Sequence, residues 1–85
     1  MYKVLVKKSV EKQLAQISSV YYKSIRKKID ELGKDPRPDG CRKLEGFVDK
    51  YRVRVGPYRV LYSIKDDILI VEVINIGHRK DVYRL

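Results

Sequence analysis

The sequence predicts an α+β domain: an N-terminal strand, an antiparallel helix hairpin, then a three-stranded antiparallel meander, making a four-stranded sheet with the helices on one face. Three observations carry this. Residues 51–85 read as three β-patterned runs parted by two-residue breaks, Gly56-Pro57 and Asp66-Asp67, which is the spacing of adjacent hairpins. Residues 10–32 place apolar side chains at helical intervals. The chain has 85 residues and no internal repeat, low-complexity segment or linker, so residues 1–85 form one domain.

Taken in order, Tyr2 to Lys7 is a short strand with Tyr2, Val4 and Val6 on one face. Ser9 is the expected N-cap of the first helix, which carries Val10, Leu14 and Ile17. Ser18-Ser19 breaks that helix and caps a second, whose stripe is Tyr22, Ile25, Ile29 and Leu32. Helical spacing assigns Tyr21 and Tyr22 to packing rather than to ligand binding. Gly33 suits the position just past the helix end, with Pro36 following. Asp35 to Lys50 is a long connector with two prolines and two glycines, expected to be pinned by Leu44 and Phe47. Ile68 to Ile74 is apolar on both faces and is expected to be the central, most buried strand.

Alternation sorts the meander. Tyr51, Val53 and Val55 share one face of the first run, and Val60, Tyr62 and Ile64 share one face of the second. Arg52, Arg54 and Arg59 then collect on the opposite face. The chain leaves the third strand at Gly77 and delivers His78, Arg79, Tyr83 and Arg84 near the same edge. An arginine-rich face with an aromatic beside it suits a phosphate backbone and a base.

The totals agree with that reading. The net charge is +9, from 20 Lys+Arg against 11 Asp+Glu. A generic basic protein and a polyanion binder both have such a charge. The distribution favours the second, because six of the eight arginines fall between Arg42 and Arg84 while lysines dominate the first 34 residues. Arginine is the better planar, bidentate phosphate partner. Cys41 is the single cysteine, so no intrachain disulfide and no cysteine-built zinc site can form, which fits a cytoplasmic protein. The first residues lack a signal-peptide core and no apolar run is long enough to span a bilayer, so no membrane association is expected.

Leu44-Glu45-Gly46, Tyr51-Arg52-Val53-Arg54, Tyr58-Arg59-Val60-Leu61-Tyr62 and Gly77-His78-Arg79-Lys80-Asp81-Val82-Tyr83, in that order, resemble the RelE/ParE toxin superfamily across essentially the whole chain. The resemblance to the RelE branch implies an endoribonuclease that cuts messenger RNA in the ribosomal A site without metal or other cofactor, held inactive by an acidic, RelB-like antitoxin. Arg52 and Arg54 match a basic pair that is often lysine in relatives, Arg59 the arginine of a G-Y-R-L-V-Y element, Arg79 the tail arginine and Tyr83 its terminal aromatic. His78 stands at a position that is basic or histidine in many relatives. The arginines depart from lysine in one respect: they stabilise charge but do not give up a proton.

RNA carries its own nucleophile, the 2′-hydroxyl. The expected chemistry is in-line attack on the adjacent phosphate, yielding a 2′,3′-cyclic phosphate and a 5′-hydroxyl. Arg54 and Arg59 are assigned to the phosphorane charge, Arg79 to the leaving oxygen or scissile phosphate, and Tyr83 to stacking or 2′ proton removal. Arg52 holds the flanking backbone, with Arg84 and His78 as further substrate contacts. His78 is the only histidine; it is a base if its ring meets the arginine face, and packs locally if alternation turns it away. Glu45 is a general base if it reaches that face, and otherwise a surface or ion-pairing carboxylate. Such a weak acid–base set implies dependence on the ribosome to bend the strand. Three rivals stay open: a ParE-like inhibitor of DNA gyrase without nuclease activity, a plain nucleic-acid-binding module, and an inactive relative held by its antitoxin.

Overall fold

The computed structural model describes residues 1–78. The elements are β1 (Lys3–Val6), α1 (Lys8–Ala15), α2 (Ser19–Glu31), β2 (Arg42–Lys43), β3 (Lys50–Val55), β4 (Tyr58–Lys65) and β5 (Ile70–His78). The α+β class holds, but the sheet has five strands, in the order β1-β5-β4-β3-β2. The added strand is β2, two residues of the long connector that pair antiparallel with β3, Arg42 opposite Arg52 and Lys43 opposite Tyr51. β1 runs parallel to β5, and the β3–β4 and β4–β5 pairs are antiparallel.

One apolar layer forms between the helices and a single face of the sheet. Val10, Leu14, Ile25, Ile29 and Leu32 from the helical half meet Val53, Val60, Tyr62, Ile64, Val71, Val73 and Ile76 from the strands. The middle strand is β4, whose Val60 to Ile64 are all buried. This corrects the expectation that the third run is central. β5 begins only at Ile70, and Ile68 and Leu69 are 60% and 49% exposed in the turn before it. The cause is the fifth strand: β2 lies beyond β3, so the middle of the order falls on β4. The chain between β4 and β5 closes through four residues, with Leu69 in the left-handed region at φ 54° and its carbonyl taking the Lys3 N–H at 2.8 Å. Gly56-Pro57 behaves as expected, with Gly56 at φ 58°; a Cβ there would stand 2.8 Å from the Tyr21 ring.

The helices differ in detail from the sequence reading. Lys7 rather than Ser9 occupies the N-cap position of α1 and Ser18 that of α2, neither with a side-chain capping hydrogen bond. Tyr21, not Tyr22, joins the α2 stripe: it packs edge-on to Tyr58 at 5.5 Å, and Tyr22 is 39% exposed. Gly33 is not left-handed. It is needed because a Cβ would lie 3.0 Å from the Tyr2 carbonyl and 3.1 Å from Val4 Cγ2, where β1 crosses the helix end. An ion pair from Arg26 to Glu11 at 3.1 Å ties α2 to α1. β1 ends opposite Val73, leaving the next stretch of β5 as an edge. There α1 supplies Gln13, whose Oε1 accepts the Ile76 N–H at 3.3 Å and whose Nε2 donates to Asn75 Oδ1 at 2.9 Å. Among the described residues no helix is long and apolar enough to cross a membrane.

The connector is not pinned by Leu44 and Phe47. Leu44 is half-buried, and Phe47 is 42% exposed beside the Lys50 ammonium. It is held by polar contacts instead. The buried Tyr62 hydroxyl donates to the Pro36 carbonyl at 2.7 Å, Leu44 N–H to the Lys50 carbonyl at 2.9 Å, and Ile64 N–H to the Asp49 carbonyl at 2.9 Å. Burial, with the Cys41 thiol alongside, pushes the Tyr62 phenol well above its ordinary range. Tyr62→Phe strands the Pro36 carbonyl and is expected to lower unfolding stability by about 1–3 kcal/mol. Because the folded-state pKa is raised, the contribution of Tyr62 persists below about pH 10 and fades above it. Denaturant melts across pH check both points: the deficit of the variant should shrink in alkali.

Candidate nucleic-acid interface

Alternation along β3 and β4 leaves one sheet face to the helices and places the arginines on the other. Arg54 stands directly opposite Arg59, and Arg42 directly opposite Arg52. Two like-charged cross-strand pairs, with Cβ atoms roughly 4.5–5.5 Å apart, work against folding. None of these four arginines has an ion pair or a side-chain hydrogen bond to another described residue. Two acids of the sheet edge are engaged elsewhere: Asp49 by Lys65 at 2.6 Å and Lys50 at 3.7 Å, and Asp66 by Arg37 at 2.9 Å. The result is a surface of guanidinium groups without an ion pair among the described residues, with Asp39 the one carboxylate lining the cleft beside them.

Arg54 is exposed and Arg59 half-buried, while Arg52 is covered to 9% exposure. Leu61 and Ser63 share the face of Arg59 and are buried, at 0% and 3%. Arg59 pairs with Gly77, whose missing side chain leaves the strand surface low beside it. His78 is opposite Tyr58, their rings 4.4 Å apart, so its imidazole stands on the helix side of the sheet and away from Arg54 and Arg59. Glu45 is exposed and makes no ion pair with a described residue. Arg79, Tyr83 and Arg84 lie outside the described residues. The structure thus brings Arg52, Arg54 and Arg59 together and separates His78 from them.

Two cations enter the neighbourhood that sequence reading did not place there. Arg42 arrives because β2 pairs with β3, and Lys28 because α2 passes the same sheet edge. Both line an open cleft of about 610 Å³ with Asp39, Gly40, Cys41, Arg52, Val53 and Arg54. Arg42 shows in the sequence only as a basic residue two positions before Leu44-Glu45-Gly46; Lys28 carries no sequence signal at all.

Arg37 has a different task. Its guanidinium reaches both carboxylate oxygens of Asp66, at 3.3 and 2.9 Å, donates to the Tyr51 hydroxyl at 3.4 Å, and covers the Tyr51 ring at 5.2 Å. The Tyr2 hydroxyl donates to Asp66 Oδ1 at 2.5 Å. This clamp joins β1, the β4–β5 turn and the start of the connector.

The fold and the arginine face, without ion pairs among the described residues, define a small basic α+β protein. A profile of the family described as "ParE toxin of type II toxin-antitoxin system, parDE" matches residues 2–83. The mRNA interferase toxin RelE of Escherichia coli K12 is 30% identical over 71 residues, covering 81% of this chain and 74% of that one. The archaeal RelE–RelB complex from Pyrococcus horikoshii OT3 superposes with a TM-score of 0.83 at 31% identity, over 93% of this chain and 96% of its counterpart. The intact E. coli RelBE toxin–antitoxin complex gives 0.79 at 27% identity, over 94% and 99%. The chain belongs to the RelE/ParE toxin superfamily, in its RelE-like branch.

The clamp predicts a pH dependence. The Arg37 and Tyr2 hydrogen bonds hold the Asp66 carboxyl below its ordinary range, and the Lys65 hydrogen bond does the same for Asp49. A depressed carboxylate contributes stability above its unfolded-state pKa, about 3.9, and loses it as pH falls through the lower folded value. Denaturant midpoints are therefore expected to drop below about pH 4, and Asp66→Asn should flatten that drop without abolishing it, since Asp49 remains.

Proposed function

We propose that the protein is the toxin of a type II toxin–antitoxin pair and an endoribonuclease that cleaves messenger RNA, in the ribosomal A site, through attack of the RNA 2′-hydroxyl. The observation that carries the reading is the pair Arg54–Arg59, two guanidinium groups on adjacent strands with no ion pair among the described residues. Holding them so close costs folding energy that an anionic ligand would return.

In the proposed step the 2′-oxygen bonds to phosphorus as its proton leaves, and the bond to the 5′-oxygen breaks as that oxygen gains a proton. The products are a 2′,3′-cyclic phosphate and a 5′-hydroxyl. Arg54 and Arg59 stabilise the negative charge of the phosphorane, where fixed donors count most. Arg52 holds the flanking backbone. Arginine does not release a proton at working pH, so proton transfer falls to other groups. With the imidazole of His78 packed at a tilt against Tyr58, the tail residue Tyr83 is assigned to the 2′ proton or to base stacking, and Arg79 to the leaving oxygen. A site poor in acid–base groups gains from a strand already bent by the ribosome, so in-line positioning supplies much of the acceleration.

The partner is a cognate acidic antitoxin covering the arginine face, and the compartment is the cytoplasm. Relatives crystallised as RelE–RelB complexes support the first. The ParE-like gyrase reading is not favoured, because the relatives named above, by sequence and by structure, are RelE proteins.

Toe-print mapping in a translation extract tests the proposal. Breaks in the A-site codon are expected with the wild-type chain. Arg59→Ala and Arg54→Ala should each slow single-turnover cleavage by about 10²–10³, the loss typical of one transition-state donor. Equal cleavage of naked and translated message would refute ribosome dependence; gyrase inhibition without strand scission would overturn the nuclease assignment itself.

A further inference from the structure

The cleft at the β2–β3 edge contains more positive charge than the reaction needs. Lys28, Arg42, Arg52 and Arg54 line it, against the single carboxylate of Asp39. Arg52 is the informative member. It is only 9% exposed, yet it makes no hydrogen bond or ion pair with a described residue. None of its nitrogens is sealed from solvent without a partner, so its guanidinium meets water through the cleft that it lines. A cation so largely covered, hydrated only through the cleft and without a partner among the described residues, gains from an anion that comes to it. The loop wall leaves room for one: a Cβ on Gly40 would have nothing within 4 Å.

We propose that this cleft is a phosphate subsite for single-stranded RNA, holding a backbone phosphate outside the scissile step, with Lys28 and Arg42 as its outer walls. The proposal rests on the endoribonuclease reading and gives the strand a direction. Arg54 belongs both to the pair with Arg59 and to the cleft, whereas Arg59 lines only the reaction side. The RNA therefore runs from β4 across β3 toward β2 and α2. The charge pattern favours phosphate over the carboxylates of an acidic peptide. One guanidinium fork satisfies a carboxylate, but a phosphodiester presents its oxygens to forks from several sides.

The test uses the full chain and a 2′-O-methyl oligoribonucleotide, which binds but cannot be cut, with affinity measured by fluorescence anisotropy over a KCl series. The slope of log K against log salt reports the phosphates engaged, about 0.7 for each on a single strand. Lys28→Ala combined with Arg42→Ala is expected to lower the slope by about 0.7 and to weaken binding about three- to tenfold at low salt. Arg42→Lys alone, which keeps the charge, should retain the wild-type slope. An unchanged slope in a double variant that melts like wild type would overturn the subsite. So would an unchanged slope accompanied by weaker binding of polyglutamate, which would mark the cleft as a peptide site. Scission of translated message with no slope change sinks the subsite alone; a slope change in a chain that cuts no message supports the subsite and sinks the nuclease reading instead.

Discussion

The two-residue alternation of the middle strand, β4, is the constraint from which the rest follows. Val60, Tyr62 and Ile64 point into the apolar layer, so Arg59, Leu61 and Ser63 must point the other way. β3 and β5 are locked to β4 residue by residue. A slip of one residue would drive Arg59 into the core and expose Tyr62. The burial of Tyr62 therefore sets which arginines stand together, although it touches none of them. The fold reaches the site through register, not through contact.

Polar contacts do for the connector what apolar ones do for the helices. Tyr62 takes the Pro36 carbonyl from inside, while Arg37 and Asp66 close over Tyr51 from outside. Held at its start, the connector lays β2 along β3 and so brings Arg42 opposite Arg52. An exposed ion pair such as Arg37–Asp66 adds little stability in itself. Its effect is geometric, since it fixes the route of a long segment that buries little apolar surface of its own.

The site and the core oppose each other energetically. A chain of this length has a modest core, and four arginines without an ion pair among the described residues draw on it further. An anionic ligand on that face would relieve the repulsion and stabilise the folded state by mass action. Positive charge gathered on one face also speeds encounter with such a partner.

Periodicity alone determined much of this protein. The core stripe Ile25-Ile29-Leu32, the buried faces of β3 and β4, and the gathering of Arg52, Arg54 and Arg59 all follow from side chains repeating every 3.6 or two residues, a property local to each segment. The ordered motifs likewise made the superfamily legible. What the sequence did not disclose were facts of position between segments. The long connector contributed a fifth strand, β2, beyond β3, and that placed the centre of the sheet at β4 rather than β5. His78 turned to the helix side because its place in the β4–β5 register, opposite Tyr58, decides its face. Lys28 and Arg42 met at one cleft only because a helix and a two-residue strand, apart in sequence, arrive at the same edge of the sheet.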